Sequence, residues 1–156
     1  TTFRIYIPLA EEGIKPSSKR EKTEIIGGKE TIFLAEDDEM VRIFERDVLE
    51  EQGYKVIEAV DGEDTLIKFN FHKDKIDLVI LDVIMPKKNG KEVYDNIRKI
   101  DPEMPVLFTS GYTFDIIEQK GIDKNKADII RKPIVYDVLL RKVRELLDKK
   151  GKKARG

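Results

Sequence analysis

Four short stretches of this 156-residue sequence carry side chains that could perform chemistry together, and each follows a run of apolar residues. They are the acidic triplet Glu36–Asp38, the single carboxylate of Asp82, the hydroxyl of Ser110 and the amine of Lys132. Carboxylates that converge in one crevice repel one another, so at least one of their pKa values should rise unless a cation lies among them. An all-oxygen ligand set favours a hard ion such as Mg²⁺, or Mn²⁺ in its place.

With such a cation in place, one carboxylate can attack an electrophilic phosphorus atom as a nucleophile. Phosphoryl transfer depends mainly on positioning and on the neutralisation of charge. A lysine and a hydroxyl directed at the remaining phosphoryl oxygens would complete the requirements of such a site. The residue types therefore indicate phosphoryl transfer, provided that the fold brings them together.

Five apolar runs alternate with segments of helical periodicity, which predicts about five βα units. The predicted strands are Ile32–Ala35, Val56–Val60, Leu78–Leu81, Val106–Thr109 and Asp128–Arg131. The predicted helices lie around Val41–Leu49, Leu66–Phe69, Lys91–Ile100, Thr113–Lys120 and Val135–Leu146. This pattern predicts an α/β fold, a doubly wound parallel sheet with helices on both faces. Its functional crevice should lie at the carboxyl ends of the strands, where the four stretches fall.

Each of these features also has an ordinary structural explanation. An acidic residue between a strand and a helix often caps the helix. Asp82, with Asn89-Gly90 behind it, could open a turn, and Lys132 could be a solvated surface lysine. The combination, with each feature at the end of its own predicted strand, favours the functional interpretation.

Taken in order, the motifs resemble those of the response-regulator receiver family. The matching segments are Ile32–Glu39, Leu81–Pro86 with Asn89-Gly90, Thr109–Tyr112 and Arg131–Pro133. The resemblance covers about Glu30 to Lys149 and implies a flavodoxin-like, five-stranded sheet of order 2-1-3-4-5. It also implies a phosphoacceptor that takes a phosphoryl group from a phosphohistidine and then switches conformation. By this resemblance the metal ligands would be Glu36, Asp37, Asp82 and the backbone carbonyl of Ile84. The catalytic residues would be Asp82 as the phosphoacceptor, Lys132, and Ser110 with its switch hydroxyl.

Three acids in a row require a decision about which of them face the crevice. Because Glu36 directly ends the apolar strand, we expect Glu36 and Asp37 to face it and Asp38 to cap the following helix. One departure from the family pattern concerns Ile129, which stands three positions before Lys132 where the family usually has an aromatic residue. A switch that depends on a rotating aromatic ring is therefore not expected here.

The ends of the chain differ from its centre. Thr1–Pro8 alternates apolar and polar residues and resembles the last strand of the ATP-binding domain of sensor histidine kinases. We therefore expect residues 1–10 to be a remnant of that domain, 11–29 a linker, 30–149 the receiver domain and 150–156 a basic tail. The parent chain would then be a hybrid histidine kinase, a protein-histidine phosphotransferase.

Composition limits the possible partners and compartment. The sequence has no cysteine, which excludes disulfides and thiolate chemistry, and Lys+Arg 30 balances Asp+Glu 31. We expect a cytoplasmic domain without nucleic-acid or membrane contact, although the parent kinase could be anchored in a membrane. His72 is the sole histidine and has the character of a surface residue, so the phosphodonor should be a histidine kinase or a histidine phosphotransfer domain, in cis or in trans. Weak self-association through the N-terminal strand is a further expectation.

Three other functions have to be distinguished from that of a phosphoacceptor. A flavin-binding domain of this topology would need a phosphate-cradling loop where Glu36–Asp38 stands, and an aspartyl phosphatase would need an acid at Ile84. The serious alternative is a degenerate receiver that acts as a docking module without being phosphorylated. Such domains usually lack part of the acidic set, whereas this sequence has all of it.

Overall fold

The computed structural model of the chain describes residues 26–112, 121–122 and 127–153. The predicted strand at Thr2–Pro8, most of the predicted linker and the predicted helix at Thr113–Lys120 lie outside these ranges. In chain order the strands are β1 (Thr31–Ala35), β2 (Lys55–Ala59), β3 (Leu78–Asp82), β4 (Val106–Ser110) and β5 (Asp128–Arg131). The helices are α1 (Glu39–Glu51), α2 (Gly62–His72), α3 (Gly90–Ile100) and α4 (Tyr136–Lys153), with a short 3₁₀ turn at Lys73–Lys75.

The five strands form one parallel sheet in the order β2-β1-β3-β4-β5, which confirms the predicted fold class and strand order. Each predicted strand agrees with the observed one to within a residue at each end. The sheet register places Ala35 beside Leu81, Asp82 beside Thr109 and Ser110 beside Arg131. The residues that end β1, β3, β4 and β5 therefore meet at one edge of the sheet.

Two hydrophobic cores cover the two faces of the sheet, as the alternation of side chains along each strand requires. Phe33 of β1 packs with Phe69 of α2 and Val93 of α3 on one face. On the opposite face Leu34 of β1 belongs to a second core, whose other members include Leu49 of α1, Leu139 and Val143 of α4. Burial of each such side chain contributes roughly 2 kcal/mol of hydrophobic free energy.

The helix ends follow from local capping. Asp38 accepts hydrogen bonds from the backbone N–H groups of Met40 and Val41, which confirms its predicted role as the cap of α1. Asn89 begins α3 with a capping box that includes Glu92. Gly53, at φ +88°, ends the turn after α1, because glycine adopts that conformation without strain.

Two helices differ in detail from the sequence pattern. The helical spacing of Val41, Phe44, Val48 and Leu49 predicts one apolar face for α1. In the structure Phe44 is 42% exposed, and Glu45 beside it is fully buried. The apolar spacing of Val135, Leu139, Val143 and Leu146 predicts the buried face of the last helix. Val135 lies one residue before α4 and is half exposed, whereas the other three are buried. Helix α4 also continues to Lys153, through the first residues of the segment that was expected to be a tail.

Candidate functional site

The centre of the site is an ion-paired triad formed from the ends of three different strands. The Nζ of Lys132, just after β5, lies 2.7 Å from Asp82 Oδ2 at the end of β3. The same Nζ lies 2.7 and 2.8 Å from the two carboxylate oxygens of Glu36, just after β1. Both carboxylates are almost fully buried, with 1% of Glu36 and 6% of Asp82 exposed. The long lysine side chain crosses the end of β4 to reach them.

The electrostatics of this triad follow from its burial. Loss of solvent raises the pKa of Glu36 above its ordinary value; Lys132 opposes this rise, and the charge of Asp82 adds to it. Burial alone would lower the pKa of Lys132, but its hydrogen bonds to Asp82 and Glu36 outweigh that effect and raise it. The lysine is therefore charged, and its ammonium group occupies the place of a cation between two acids.

Asp37 adds a third acid at the solvent side of the triad. One carboxylate oxygen from each of Glu36, Asp37 and Asp82 lies within 4.8 Å of the others, and Asp37 is exposed. Carboxylate oxygens in such a cluster are the donors that a hard divalent cation prefers, and an exposed member leaves room for the water molecules that Mg²⁺ retains. The three residues therefore fit a Mg²⁺ site.

Ser110 and Ile84 flank the phosphoacceptor candidate. Ser110 is fully buried at the end of β4, and its Oγ accepts a hydrogen bond of 3.1 Å from the N–H of Tyr112. The N–H of Ile84 donates to Asp82 Oδ1 at 3.0 Å, which holds the carboxylate in place. The fold therefore brings Glu36, Asp37, Asp82, Ile84, Ser110 and Lys132 to one edge of the sheet. Their individual chemical roles, and the role of the Ile84 carbonyl as a ligand, stay predictions.

The loop between β3 and α3, residues 83–89, is fixed by contacts that the sequence pattern does not predict. The N–H of Gly62 donates to the carbonyl of Pro86 at 3.2 Å, and Lys87 Nζ lies 2.7 Å from Asp61 Oδ2. Any side chain at Gly62 would overlap the carbonyl oxygen of Lys88. In the sequence Asp61-Gly62 predicts only a turn into a helix, although its glycine is also the residue that this contact requires.

Gly90 makes a second close approach at the other end of this loop. Its N–H donates to the carbonyl of Val83 at 3.0 Å, and a methyl group on its α-carbon would overlap the backbone of Asp82. The glycine of the Asn89-Gly90 motif therefore lets α3 begin directly behind the phosphoacceptor candidate. That requirement gives the motif a physical meaning beyond a turn.

The sequence model of the response regulator receiver domain matches residues 32–144, and this chain belongs to that family. The chain is 31% identical to the sensor kinase CckA of Brucella abortus (strain 2308), over 96% of its own length and 17% of the kinase. In structure it resembles the receiver domain of the hybrid histidine kinase CckA, with a TM-score of 0.64 and 33% identity, over 75% of this chain and 98% of that one. A CheY-like receiver domain protein from Methanospirillum hungatei JF-1 gives a TM-score of 0.72 at 25% identity, over 81% and 99% of the two chains.

The chain spans about half or less of the length of the curated relatives that it matches. The comparisons therefore establish a receiver domain of two-component signalling. Among residues 26–112, 121–122 and 127–153, none of the helices combines the length and the hydropathy that a membrane span requires.

Proposed function

We propose that this domain accepts a phosphoryl group from a phosphohistidine onto Asp82, with Mg²⁺ or Mn²⁺ bound by Glu36, Asp37, Asp82 and the backbone carbonyl of Ile84. The observation that carries the proposal is the partly buried Lys132 ammonium, which lies within hydrogen-bonding distance of both Asp82 and Glu36. An aspartate that is buried, oriented by a backbone N–H and paired with a lysine has the arrangement that a positioned nucleophile needs.

In the reaction a carboxylate oxygen of Asp82 attacks the phosphorus atom, and the bond between phosphorus and the imidazole nitrogen of the donor breaks. The electron pair of that bond stays on the imidazole. When bound, the divalent cation would neutralise charge on the phosphoryl oxygens. Lys132, which pairs with Asp82, would contact a phosphoryl oxygen. The Ser110 hydroxyl at the same edge of the sheet would donate a hydrogen bond to another phosphoryl oxygen.

The change of state would be a population shift that the new phosphoryl contacts of Ser110 and Lys132 bias. The N–H of Lys132, just after β5, donates to the carbonyl of Ser110 at 2.8 Å, and α4 begins four residues after Lys132. The switching face would therefore include β5 and α4. Ile129 on β5 is only partly buried and offers no aromatic ring that could act as a gate, so we expect Ile129→Ala to leave the phosphorylation-dependent changes on this face intact.

Phosphorylation can be tested directly on the full 156-residue chain. Acetyl phosphate or a phosphorylated histidine kinase should label the chain once, at Asp82, when Mg²⁺ or Mn²⁺ is present and not after chelation. Intact-mass measurement and peptide mapping would locate the label. Asp82→Asn should abolish labelling, whereas Asp74→Asn, at an exposed aspartate outside the site, should leave it unchanged. Undiminished labelling of the Asp82→Asn protein would refute the assignment.

For the parent chain, we propose a hybrid histidine kinase in which this domain follows the ATP-binding domain. The support is that similarity to a sensor kinase extends over 96% of the chain, which is more than the receiver domain alone. The partner would be a histidine kinase or histidine phosphotransfer domain, in the same chain or another, and the location cytoplasmic. If residues 1–29 belong to a kinase domain and its linker, their deletion should leave Mg²⁺-dependent labelling of Asp82 unchanged. A deletion that unfolds the domain would contradict this proposal.

A further inference from the structure

In the acidic loop, residues 36–38, two consecutive side chains have to present their carboxylates to the same place. Glu36 continues the ladder of β1, since its N–H donates to the carbonyl of Ala59 at 3.2 Å. Consecutive side chains along a strand point to opposite faces of a sheet. Nevertheless, carboxylate oxygens of Glu36 and Asp37 both lie within 4.8 Å of one from Asp82. The backbone therefore has to bend between Glu36 and Asp37, and something has to hold that bend.

Arg42 contacts the bend directly. Its Nη1 donates to the carbonyl oxygen of Glu36 at 2.8 Å and lies 3.3 Å from the carbonyl oxygen of Asp37. Both carbonyls lie between the end of β1 and the start of α1, outside regular secondary structure. One guanidinium group thus contacts the backbone of both acidic residues, and it does so from the helix that follows them.

The guanidinium group is itself anchored. Arg42 Nε lies 3.3 Å from a carboxylate oxygen of Glu58 on β2, and only 12% of the arginine side chain is exposed. A planar guanidinium that is tied on one side to β2 has little freedom to leave the loop carbonyls on its other side. Through its contacts with Glu58 and with the acidic loop, Arg42 therefore connects β2, the edge strand of the sheet, to the candidate metal ligands.

We propose that Arg42 is a positioning residue for the divalent cation: it holds the bend that lets Glu36 and Asp37 present their carboxylates to the same point as Asp82. The inference rests on the proposed function, since it assumes that these acids bind the cation. Arg42 touches the backbone of the ligands and acts through their orientation.

The sign of the effect separates this role from simple electrostatics. Arg42 carries a positive charge near a site for a cation, so its charge alone opposes metal binding. Removal of the charge by Arg42→Gln would therefore tighten Mg²⁺ binding if Arg42 did nothing else. If Arg42 holds the bend, the same substitution weakens binding, by roughly tenfold, as is typical for partners that orient metal ligands.

A matched control is available on the same helix. Arg46, one turn further along α1, also approaches Glu58, at 3.4 Å, and pairs with Asp47. Its hydrogen bonds and ion pairs go to Asp47 and Glu58 rather than to the acidic loop. Arg46→Gln replaces a guanidinium group by an amide group, and so removes the same charge and the same volume as Arg42→Gln. It should leave Mg²⁺ affinity unchanged or slightly increased.

The experiment is a MgCl₂ titration of the full chain at constant ionic strength, followed by backbone amide NMR shifts of residues 36–38 and of Asp82. Arg42→Gln should weaken binding about tenfold, and Arg42→Lys, which keeps the charge but not the planar fork, should weaken it as well. Thermal unfolding without metal checks that the variants are folded; if Arg42→Gln is not, Arg42→Lys carries the comparison with Arg46→Gln.

The outcomes are distinguishable. Weakened binding in the Arg42 variants with unaltered binding in Arg46→Gln supports the proposal. Equal or tighter binding in a folded Arg42 variant overturns it and leaves the proposed function standing. A complete absence of Mg²⁺ binding by the unaltered chain overturns the proposed metal site, and this inference with it.

Discussion

Glu45 is a carboxylic acid inside a hydrophobic core. It is 0% exposed and lies one helical turn before Val48 and Leu49, which belong to the core between α1, α4 and the sheet. Neither of its carboxylate oxygens has a hydrogen-bond partner among the residues that the structure describes. Burial raises the pKa of Glu45 from 4.5 to about 8; the charges of Glu36 and, less strongly, Asp82 add to the rise, and that of Lys132 opposes it.

This raised pKa makes stability depend on pH with a defined sign. Between pH 4.5 and about 8 the folded domain keeps a proton on Glu45 that the unfolded chain has released. Stability is therefore fully present below the unfolded pKa and is lost as pH rises toward the folded pKa. At about 1.4 kcal/mol for each pH unit, the loss at pH 7 is about 3 kcal/mol. That is a large fraction of the 5–15 kcal/mol that is typical of a domain.

The perturbation that isolates this effect is Glu45→Leu, which removes the titrating group and keeps an apolar side chain of similar size. The free energy of unfolding would be measured by urea denaturation at several pH values without metal. The variant should be more stable than the unaltered chain, and its advantage should grow by about 3 kcal/mol between about pH 5.5 and 8.5. Glu36 titrates in both proteins. Because its charge adds to the raised pKa of Glu45, part of the growing advantage comes from the repulsion between the two acids.

The control is Glu50→Leu, at an exposed position of the same helix. The pH dependence of its effect on stability serves as the reference for Glu45→Leu. An advantage of Glu45→Leu that varies with pH no more than the effect of Glu50→Leu would refute the reasoning, since it would show that burial does not raise the pKa of Glu45 in the folded chain.

Two further predictions concern the loop of residues 83–89 and the triad. Gly62→Ala should destabilise the domain by about 1–3 kcal/mol in urea denaturation, because the added methyl overlaps Lys88. As a control, Gly151→Ala, in α4 with open space around it, should be neutral or slightly stabilising. Similar effects of the two substitutions would contradict the close packing of this loop. Lys132→Ala removes the ammonium group between Glu36 and Asp82, so it should tighten Mg²⁺ binding and lower metal-free stability at neutral pH, which thermal unfolding with and without MgCl₂ would show. An unchanged metal affinity would mean that the lysine does not compete for this position.

The sequence predicted the parts of the fold that depend on local pattern. Continuous apolar runs such as Leu78–Leu81 identify buried parallel strands, and the topology of such sheets brings their carboxyl ends together. The placement of Glu36, Asp82, Ser110 and Lys132 at one edge followed from this rule. The cap at Asp38 followed from the chemistry of helix termini.

The remaining features depend on contacts between distant segments, which periodicity does not report. The apolar spacing in α1 predicted Phe44 as a core residue. The orientation of a helix about its axis, however, is set by the surface on which it packs, and here Glu45 is buried instead. The pairing of Lys87 with Asp61 and the reach of Arg42 to the acidic loop likewise require the relative positions of loops and helices. A single glycine, such as Gly62, can indicate that a close contact exists, but the sequence does not show which residue it contacts.

The central claim is that Asp82 takes a phosphoryl group beside a bound cation, and beryllofluoride, an analogue of the phosphoryl group, tests it most directly. Backbone amide NMR of the full chain should show shifts at Asp82, Ser110 and Lys132, extending into β5 and α4, when beryllofluoride and Mg²⁺ are both present. Neither reagent alone should extend its effect to that face, and Asp82→Asn should abolish the joint response. A chain that fails to respond to both together, or an Asp82→Asn protein that responds as the unaltered one does, would contradict the claim and favour a docking module that works without phosphorylation.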